Sequence, residues 1–250
     1  MSEKHPTSPF GYENLLPDDK RSRVQEVFSS VSDNYDNMND WMSFGLHYGW
    51  KKQAVSYSRL TAGDKALDLA CGTCDITYYL HQRYGSTIDI VAADPNQAML
   101  KQGRDNLLNQ GLYQNITFAQ HFAEKLPYAD NTFNLVISAF GFRNFTDKQQ
   151  ALREIARVLT PAGQCIILEF SKPQSHIIEA CYHSHATTLI PKMGAWFSNN
   201  PDAYRYLIDS IETHPKQQVV SNMMHNAGLE NLHVSAILSG LVCIHRGWKC

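Results

Sequence analysis

The sequence predicts an α/β protein: a mostly parallel, seven-stranded sheet with helices on both faces and an antiparallel C-terminal hairpin. Three observations predict it. Strand-like and helix-like stretches alternate from residue 64 to residue 173, the rhythm of parallel strands joined by helical crossovers. The strand-like stretches are short, nearly continuous apolar runs such as "DKALDLA", as expected of strands buried on both faces. Finally, "NLHVSAIL" and "LVCIHRGWK" are joined only by Ser239-Gly240, a link that suits antiparallel neighbours.

In chain order, residues 1–20 read as a loose lead-in. The stretch from Ser22 to Leu60 carries apolar residues at helical spacing, with a break near Asp33–Asp40, which predicts two or three helices ahead of the sheet. "DKALDLA" is the first strand and ends at Gly72; the helix "DITYYLHQRYG" follows, with Asp75 as its expected N-cap and Gly85 as its stop. "IDIVAADP" is the second strand, followed by a helix beginning near Asn96. "NITFAQHF" and "FNLVISAFGF" are the third and fourth strands. The helix "TDKQQALREIARVL", with Thr146 as its expected cap, leads to the fifth strand "QCIILEFSKP". After Pro173 comes a long, aromatic-rich helical insertion, then the helix "PKQQVVSNMMHNAGL" and the closing hairpin. Five parallel strands plus such a hairpin is the architecture of Rossmann-like methyltransferases. One domain, 1–250, is expected, with a helical lead-in over 1–60 and the insertion over 174–212.

Composition excludes several classes. The chain has 250 residues, 43% hydrophobic and 18% charged, with a formal net charge of −2. That is globular rather than disordered, and it lacks the clustered basic face of a nucleic-acid binder. The N-terminal stretch is polar without a signal-peptide core, and no run approaches the roughly 18 apolar residues of a membrane span. A soluble, cytoplasmic protein is expected, with peripheral contact at the inner face of the membrane left open.

Cys71-Gly72-Thr73-Cys74 poses a choice between zinc, a redox pair and a cofactor turn. A structural zinc site needs a second pair of ligands; the nearest, His183 and His185, lack a cysteine partner at usable spacing, so no metal is expected. A thioredoxin-like pair suits the strand-to-helix position, but it has no use for a second strand-end acid. A nucleoside cofactor uses both Asp68 and Asp94. The turn must bring backbone close to the ligand, which requires the small Gly72, and a carboxylate at the end of the second strand can accept both ribose hydroxyls. The three-glycine dinucleotide fingerprint is absent, which weakens a nicotinamide reading; the form Asp-x-Ala-x-Gly-x-x, at Asp68, Ala70 and Gly72, resembles the S-adenosyl-L-methionine loop instead.

Longer stretches carry a closer resemblance. "YDNMNDWMSFGLHYGWK" (35–51), "RVLTPAGQCIILEFSKP" (157–173), "FGFRN" (140–144), "AYRYLIDSI" and "HRGWK" resemble the signatures of the UbiE family, C-methyltransferases of ubiquinone and menaquinone biosynthesis, from about Val27 to Lys249. The chain departs from the family pattern at Cys71, Cys74, Thr160, Ala162, Phe122 and Ala139, several of them at the expected cofactor site. The resemblance implies that Asp68 orients the methionine amine and that Gly72 and Thr73 contact the amino-acid end. Asp94 would bind the ribose, Phe122 and Ala123 border the adenine, and Ala139 line the turn beneath the methionine. Four of these have a blander alternative: backbone satisfaction for Asp68, helix capping for Asp94, core packing for Phe122 and Ala123.

The implied chemistry is methyl transfer from a sulfonium to a ring carbon of a prenylated quinol, which needs alignment and an electron-rich ring. His47 is the candidate base, since it titrates near neutrality. Arg143 is the candidate stabiliser of a phenolate, because a guanidinium stays charged. Their structural alternatives are helix packing for His47 and an ion pair with an acid such as Asp147 for Arg143. The insertion, with Ile177, Ile178, Tyr182, Leu189, Ile190, Met193, Trp196 and Phe197, would cover the ring and its tail. Expected partners are the prenylated quinol and a second copy or a quinone-biosynthesis complex, with no nucleic acid. Two other functions stay open: a diverged paralogue methylating another small apolar phenol, and a non-catalytic member of a quinone-biosynthesis assembly.

Overall fold

In the computed structural model, the described residues are 7–32, 35–173, 175 and 201–250, with backbone alone at 201–204. The sheet has seven strands: β3 (Lys65–Leu69), β4 (Asp89–Ala93), β5 (Ile116–Ala119), β6 (Phe133–Ala139), β7 (Leu159–Phe170), β8 (Leu229–Ile237) and β9 (Val242–Lys249). Their order is β5-β4-β3-β6-β7-β9-β8. β3 to β7 run parallel, and β9 pairs antiparallel with both β7 and β8. The predicted fold is therefore present, with the returning strand of the hairpin inside the sheet and β8 at its edge.

Strand periodicity sends alternate side chains to opposite faces. Ala66, Leu135, Ile137, Ile166 and Leu168 pack one core, with α2 (Tyr35–Ser43), α3 (Leu46–Ser56) and α4 (Asp75–Tyr84). Leu67, Val136, Cys165 and Ile167 pack the other, with α6 (Lys148–Val158) and α8 (Gln217–Asn226). Among the described residues the remaining α-helices are α1 (Pro17–Val31), α5 (Gln97–Asn109) and α7 (Pro201–Glu212). From β3 the chain winds outward through β4 and β5, then returns to β6 on the other side of β3. That reversal opens a crevice at the carboxyl ends of β3, β4 and β6, where ligands bind in such sheets.

Four local expectations change. Residues 1–20 are not loose: β1 (Ser8–Phe10) and β2 (Glu13–Leu15) form a hairpin, and α1 begins at Pro17. Tertiary contacts stabilise it. Phe10 stacks on Tyr206 at 4.1 Å, and the buried Lys20 ammonium donates to Ser8 Oγ (3.1 Å) and to the Phe145 carbonyl (2.9 Å). The N-terminal helices break twice: α1 ends at Val31 and α2 begins at Tyr35, at the start of the expected Asp33–Asp40 break, whereas Asp36–Asp40 lie within α2 and the second break falls at Phe44–Gly45, both in the left-handed region. Cys74, not Asp75, is the N-cap of α4, because the Asp75 carboxylate is turned to Lys51 at 2.6 Å. Asp147, not Thr146, caps α6, accepting from the Gln150 amide at 2.9 Å. The insertion from 176 to 200 lies outside the described residues.

Candidate active site

The turn after β3 is built from left-handed residues: Ala70 (φ 58°), Gly72 (φ 53°) and Cys74 (φ 70°). The Cys74 amide donates to the Cys71 carbonyl at 2.9 Å, closing a tight turn. A Cβ on Gly72 would meet Met99 Cε at 3.4 Å and would sit in strained backbone. The sulfurs of Cys71 and Cys74 lie 3.7 Å apart as free thiols, and burial pushes the Cys71 thiol well up. Among the described residues no group of three or more His, Cys, Asp or Glu could hold a metal.

Two buried carboxylates organise this turn. Asp94, just past β4, accepts from the Gly72 amide through Oδ2 (2.9 Å) and from the Asn96 amide through Oδ1 (2.8 Å). Asn96 itself caps α5, accepting from Ala98 and Met99 at 2.9 and 3.1 Å. Asp94 thus ties two loops together rather than capping a helix. Asp68 accepts the amide and hydroxyl of Thr77 on Oδ2 (3.0 and 2.7 Å), while its buried Oδ1 has no partner. Burial raises Asp68 to about 7 and Asp94 to about 6, because desolvation disfavours the charged form.

A partly open cavity lies in the crevice. Five of the predicted cofactor residues line it: Gly72, Asp94, Phe122, Ala123 and Ala139. Asp68 and Thr73 stand behind the lining; the Thr73 hydroxyl donates to Asp36 Oδ1 at 2.7 Å. Ala123 is buried, whereas Phe122 is 38% exposed beneath the Arg21 guanidinium, 5.5 Å from the ring centroid. Arg21, Val24, Gln25 and Phe28 of α1, with Tyr35, form the opposite wall. The turn after β6 presses close: a Cβ on Gly141 would come within 2.5 Å of Ala70 Cβ.

The two predicted catalytic side chains do not line this cavity. Arg143 is buried in an ion pair, its Nη1 donating to Glu169 Oε1 (2.9 Å) and to the Phe140 carbonyl (2.6 Å). Its backbone amide donates to Glu169 Oε2 at 2.9 Å. The acidic partner is therefore Glu169 at the end of β7, since Asp147 is occupied as a cap. His47 faces Asp40, Nε2 to Oδ1, at 2.9 Å, and its buried Nδ1 has no partner. Burial, aided by the charge of Lys51, lowers its pKa. Sequence reasoning missed Thr77, Glu169 and the cavity-lining residue Asn144. Glu169 is a third strand-end acid, and the reasoning that selected Asp68 and Asp94 applies to it equally.

The family model described as "ubiE/COQ5 methyltransferase family" matches residues 17–249. The chain is 44% identical over 250 residues, all of both proteins, to a ubiquinone/menaquinone biosynthesis C-methyltransferase UbiE of Idiomarina loihiensis. It is 43% identical over 248 residues (99% of this chain, 97% of the relative) to the same-named protein of Pseudomonas aeruginosa. Among solved structures, a SAM-dependent methyltransferase from Aquifex aeolicus superposes with a TM-score of 0.58 at 17% identity, over 80% of this chain and 89% of that one. The [4+2]-cyclase SpnF superposes at 0.56 and 17% identity, over 81% and 80%. These likenesses establish the fold alone, which serves more than one chemistry.

Proposed function

This chain belongs to the ubiE/COQ5 methyltransferase family, and from that premise we propose that it transfers a methyl group from S-adenosyl-L-methionine to a ring carbon of a prenylated benzoquinol or naphthoquinol in ubiquinone or menaquinone biosynthesis. The observation that carries the reading is the cavity at the switch point, with Gly72 and Asp94 in its wall, in a chain matched to such enzymes along its whole length.

The residues present fit the cofactor. Asp68 Oδ1, buried without a partner, is the acceptor an ammonium group needs. Each Asp94 oxygen takes one backbone hydrogen bond, which leaves lone pairs for two ribose hydroxyls. Gly72 allows the close backbone approach that a side chain would block. When bound, S-adenosyl-L-methionine supplies a methyl group on a good leaving group, a sulfonium. The protein then has to align the ring, exclude water and favour the ionised quinol hydroxyl. Phe28, Tyr35 and Phe140 line the cavity with aromatic surface. Arg143, its charge balanced by Glu169, is assigned to holding the Phe140–Asn144 turn in place through its bond to the Phe140 carbonyl. At His47 the Asp40 carboxylate holds the ring proton on Nε2, leaving Nδ1 as a basic nitrogen; we assign it proton acceptance at one remove from the cavity.

The exposed side chains of Phe44 and Leu46, 70% and 48% accessible, make the α2–α3 turn the face we assign to the apolar tail and to membrane contact. No helix among the described residues is long and apolar enough to cross a membrane.

The function is tested by complementing cells that lack the quinone methyltransferase and profiling their quinones by mass spectrometry. Restored methylated quinone is expected; no rescue from well-expressed protein would overturn the assignment.

The carboxylates also set a pH dependence. Asp68 and Asp94 are raised to about 7 and about 6 in the folded protein, against an ordinary value of about 4. Between those limits the folded chain holds protons that the unfolded chain has released, so their contribution to stability falls as pH rises from about 4 to about 7. Binding a cationic amine requires the ionised form. Cofactor affinity should therefore weaken as pH drops from 8 to 6, with protons released on binding near pH 7. Calorimetry in two buffers of different ionisation enthalpy checks this; buffer-independent heats would refute it.

A further inference from the structure

Asn144 closes the short helical turn Phe142–Asn144 after β6 and is one of the residues lining the cavity. Its Oδ1 accepts a hydrogen bond from the Tyr206 hydroxyl on α7 at 2.9 Å. Tyr206 is 4% exposed and is fixed from both sides, stacked on Phe10 and packed in the core with Leu207 and Ile211. Burial raises its hydroxyl well above the ordinary value, so it keeps its hydrogen throughout the working pH range. The direction of this bond decides the amide's orientation. Flipping Asn144 would turn its NH2 toward Tyr206 and leave a buried hydroxyl hydrogen without an acceptor, which is strongly disfavoured. With Oδ1 committed to Tyr206, Nδ2 points the other way and carries two N–H donors. No hydrogen bond engages Nδ2 among the described residues.

We propose that Tyr206 is a positioning residue for methyl transfer: it locks Asn144 with its amide hydrogens turned into the cavity, where they bind the phenolic oxygen of the quinol in its ionised form. This rests on the function proposed above. In the reaction, the ring carbon forms a bond to the methyl group as the methyl–sulfur bond breaks and its electron pair stays on sulfur. The hydroxyl proton has gone to a base beforehand, and the proton on the methylated ring carbon leaves afterwards. Two fixed N–H donors favour the ionised oxygen because they need no reorganisation as charge appears. They do so only while the amide is held in one orientation.

The test uses Tyr206→Phe, which keeps the ring stacked on Phe10 and removes only the hydroxyl. Its kcat at pH 7 should fall about tenfold, corresponding to the loss of one oriented hydrogen bond. The KM for the cofactor should be unchanged, and the acid limb of the kcat–pH profile should move up by about one unit. Asn144→Asp, which keeps an acceptor for Tyr206 but offers no N–H, should show the same upward move. The double variant should be no slower than Asn144→Asp. A slower Tyr206→Phe enzyme with an unmoved pH profile, or losses that multiply in the double variant, would make Tyr206 merely structural and overturn the proposal.

A second measurement does not need turnover. The pKa of a bound nitrophenol, followed by its absorbance, should be lower on the wild type than on Tyr206→Phe and Asn144→Asp. An equal pKa on all three proteins overturns the proposal. A wild type that lowers the nitrophenol pKa but does not methylate quinol would leave the proposal standing and refute the function.

Discussion

Asp94→Ala is expected to raise the dissociation constant for S-adenosyl-L-methionine about 100-fold or more while leaving a folded protein. Two hydrogen bonds from ribose hydroxyls to a carboxylate are worth about 1.5–3 kcal/mol each, and each 1.4 kcal/mol is tenfold in affinity. The variant also releases the buried amides of Gly72 and Asn96, which Asp94 holds at 2.9 and 2.8 Å. A stability loss of about 1–3 kcal/mol therefore accompanies the binding loss. Asp94→Asn separates the two effects, because it keeps one acceptor oxygen for the turn but cannot accept both hydroxyls through a charged group. Calorimetry on both variants, with melting curves as the folding control, gives the answer. Normal affinity in Asp94→Ala would mean that this carboxylate only ties loops together.

The largest stability effect is expected from Arg143. Its ion pair with Glu169 is almost wholly buried, with side-chain exposures of 3% and 1%. Arg143→Ala strands Glu169 without its charge partner, and breaking a buried pair on one side costs about 3–5 kcal/mol. For a chain of this size that lowers the melting temperature by about 10 °C. The same change removes the contact to the Phe140 carbonyl, so activity should be lost as the turn bearing Asn144 loosens. Replacing both partners, Arg143→Met with Glu169→Leu, should recover part of the stability but not the activity. Thermal denaturation checks this; a single variant melting within a degree of the wild type would show that the pair contributes nothing to the fold.

The strand–helix alternation could be read locally, because each element carries its own periodicity and its own stop. The acids at Asp68 and Asp94 were equally legible, since a carboxylate at the end of a buried strand needs a purpose. Capping was less so. Asp75 and Thr146 are good caps by residue type, yet Lys51 took the Asp75 carboxylate, and the Thr146 amide was taken by Glu124 at 2.6 Å. The choice between Asp75 and Cys74, or Thr146 and Asp147, depends on side chains distant in sequence. The N-terminal hairpin is another such case. Its strands are three residues each, too short to be seen as a pattern, and they gain order from Tyr206 and Thr146, some 140 to 200 residues away.

By itself, then, the sequence determined the α/β class, the parallel core, the closing hairpin and the carboxylates at the cofactor turn. Those follow from burial and periodicity, which act between near neighbours. Only the tertiary structure decided what each polar side chain is bound to. It paired Arg143, in the turn after β6, with Glu169 on β7, placed His47 and Arg143 outside the cavity wall, and set Tyr206 against Asn144. It also resolved Cys71 and Cys74 into a tight turn whose thiols sit 3.7 Å apart behind Gly72. The physical reason is range. A hydrogen bond is settled by an ångström of separation between atoms, and which atoms meet at that distance depends on strand order and helix docking, which no local stretch of sequence contains.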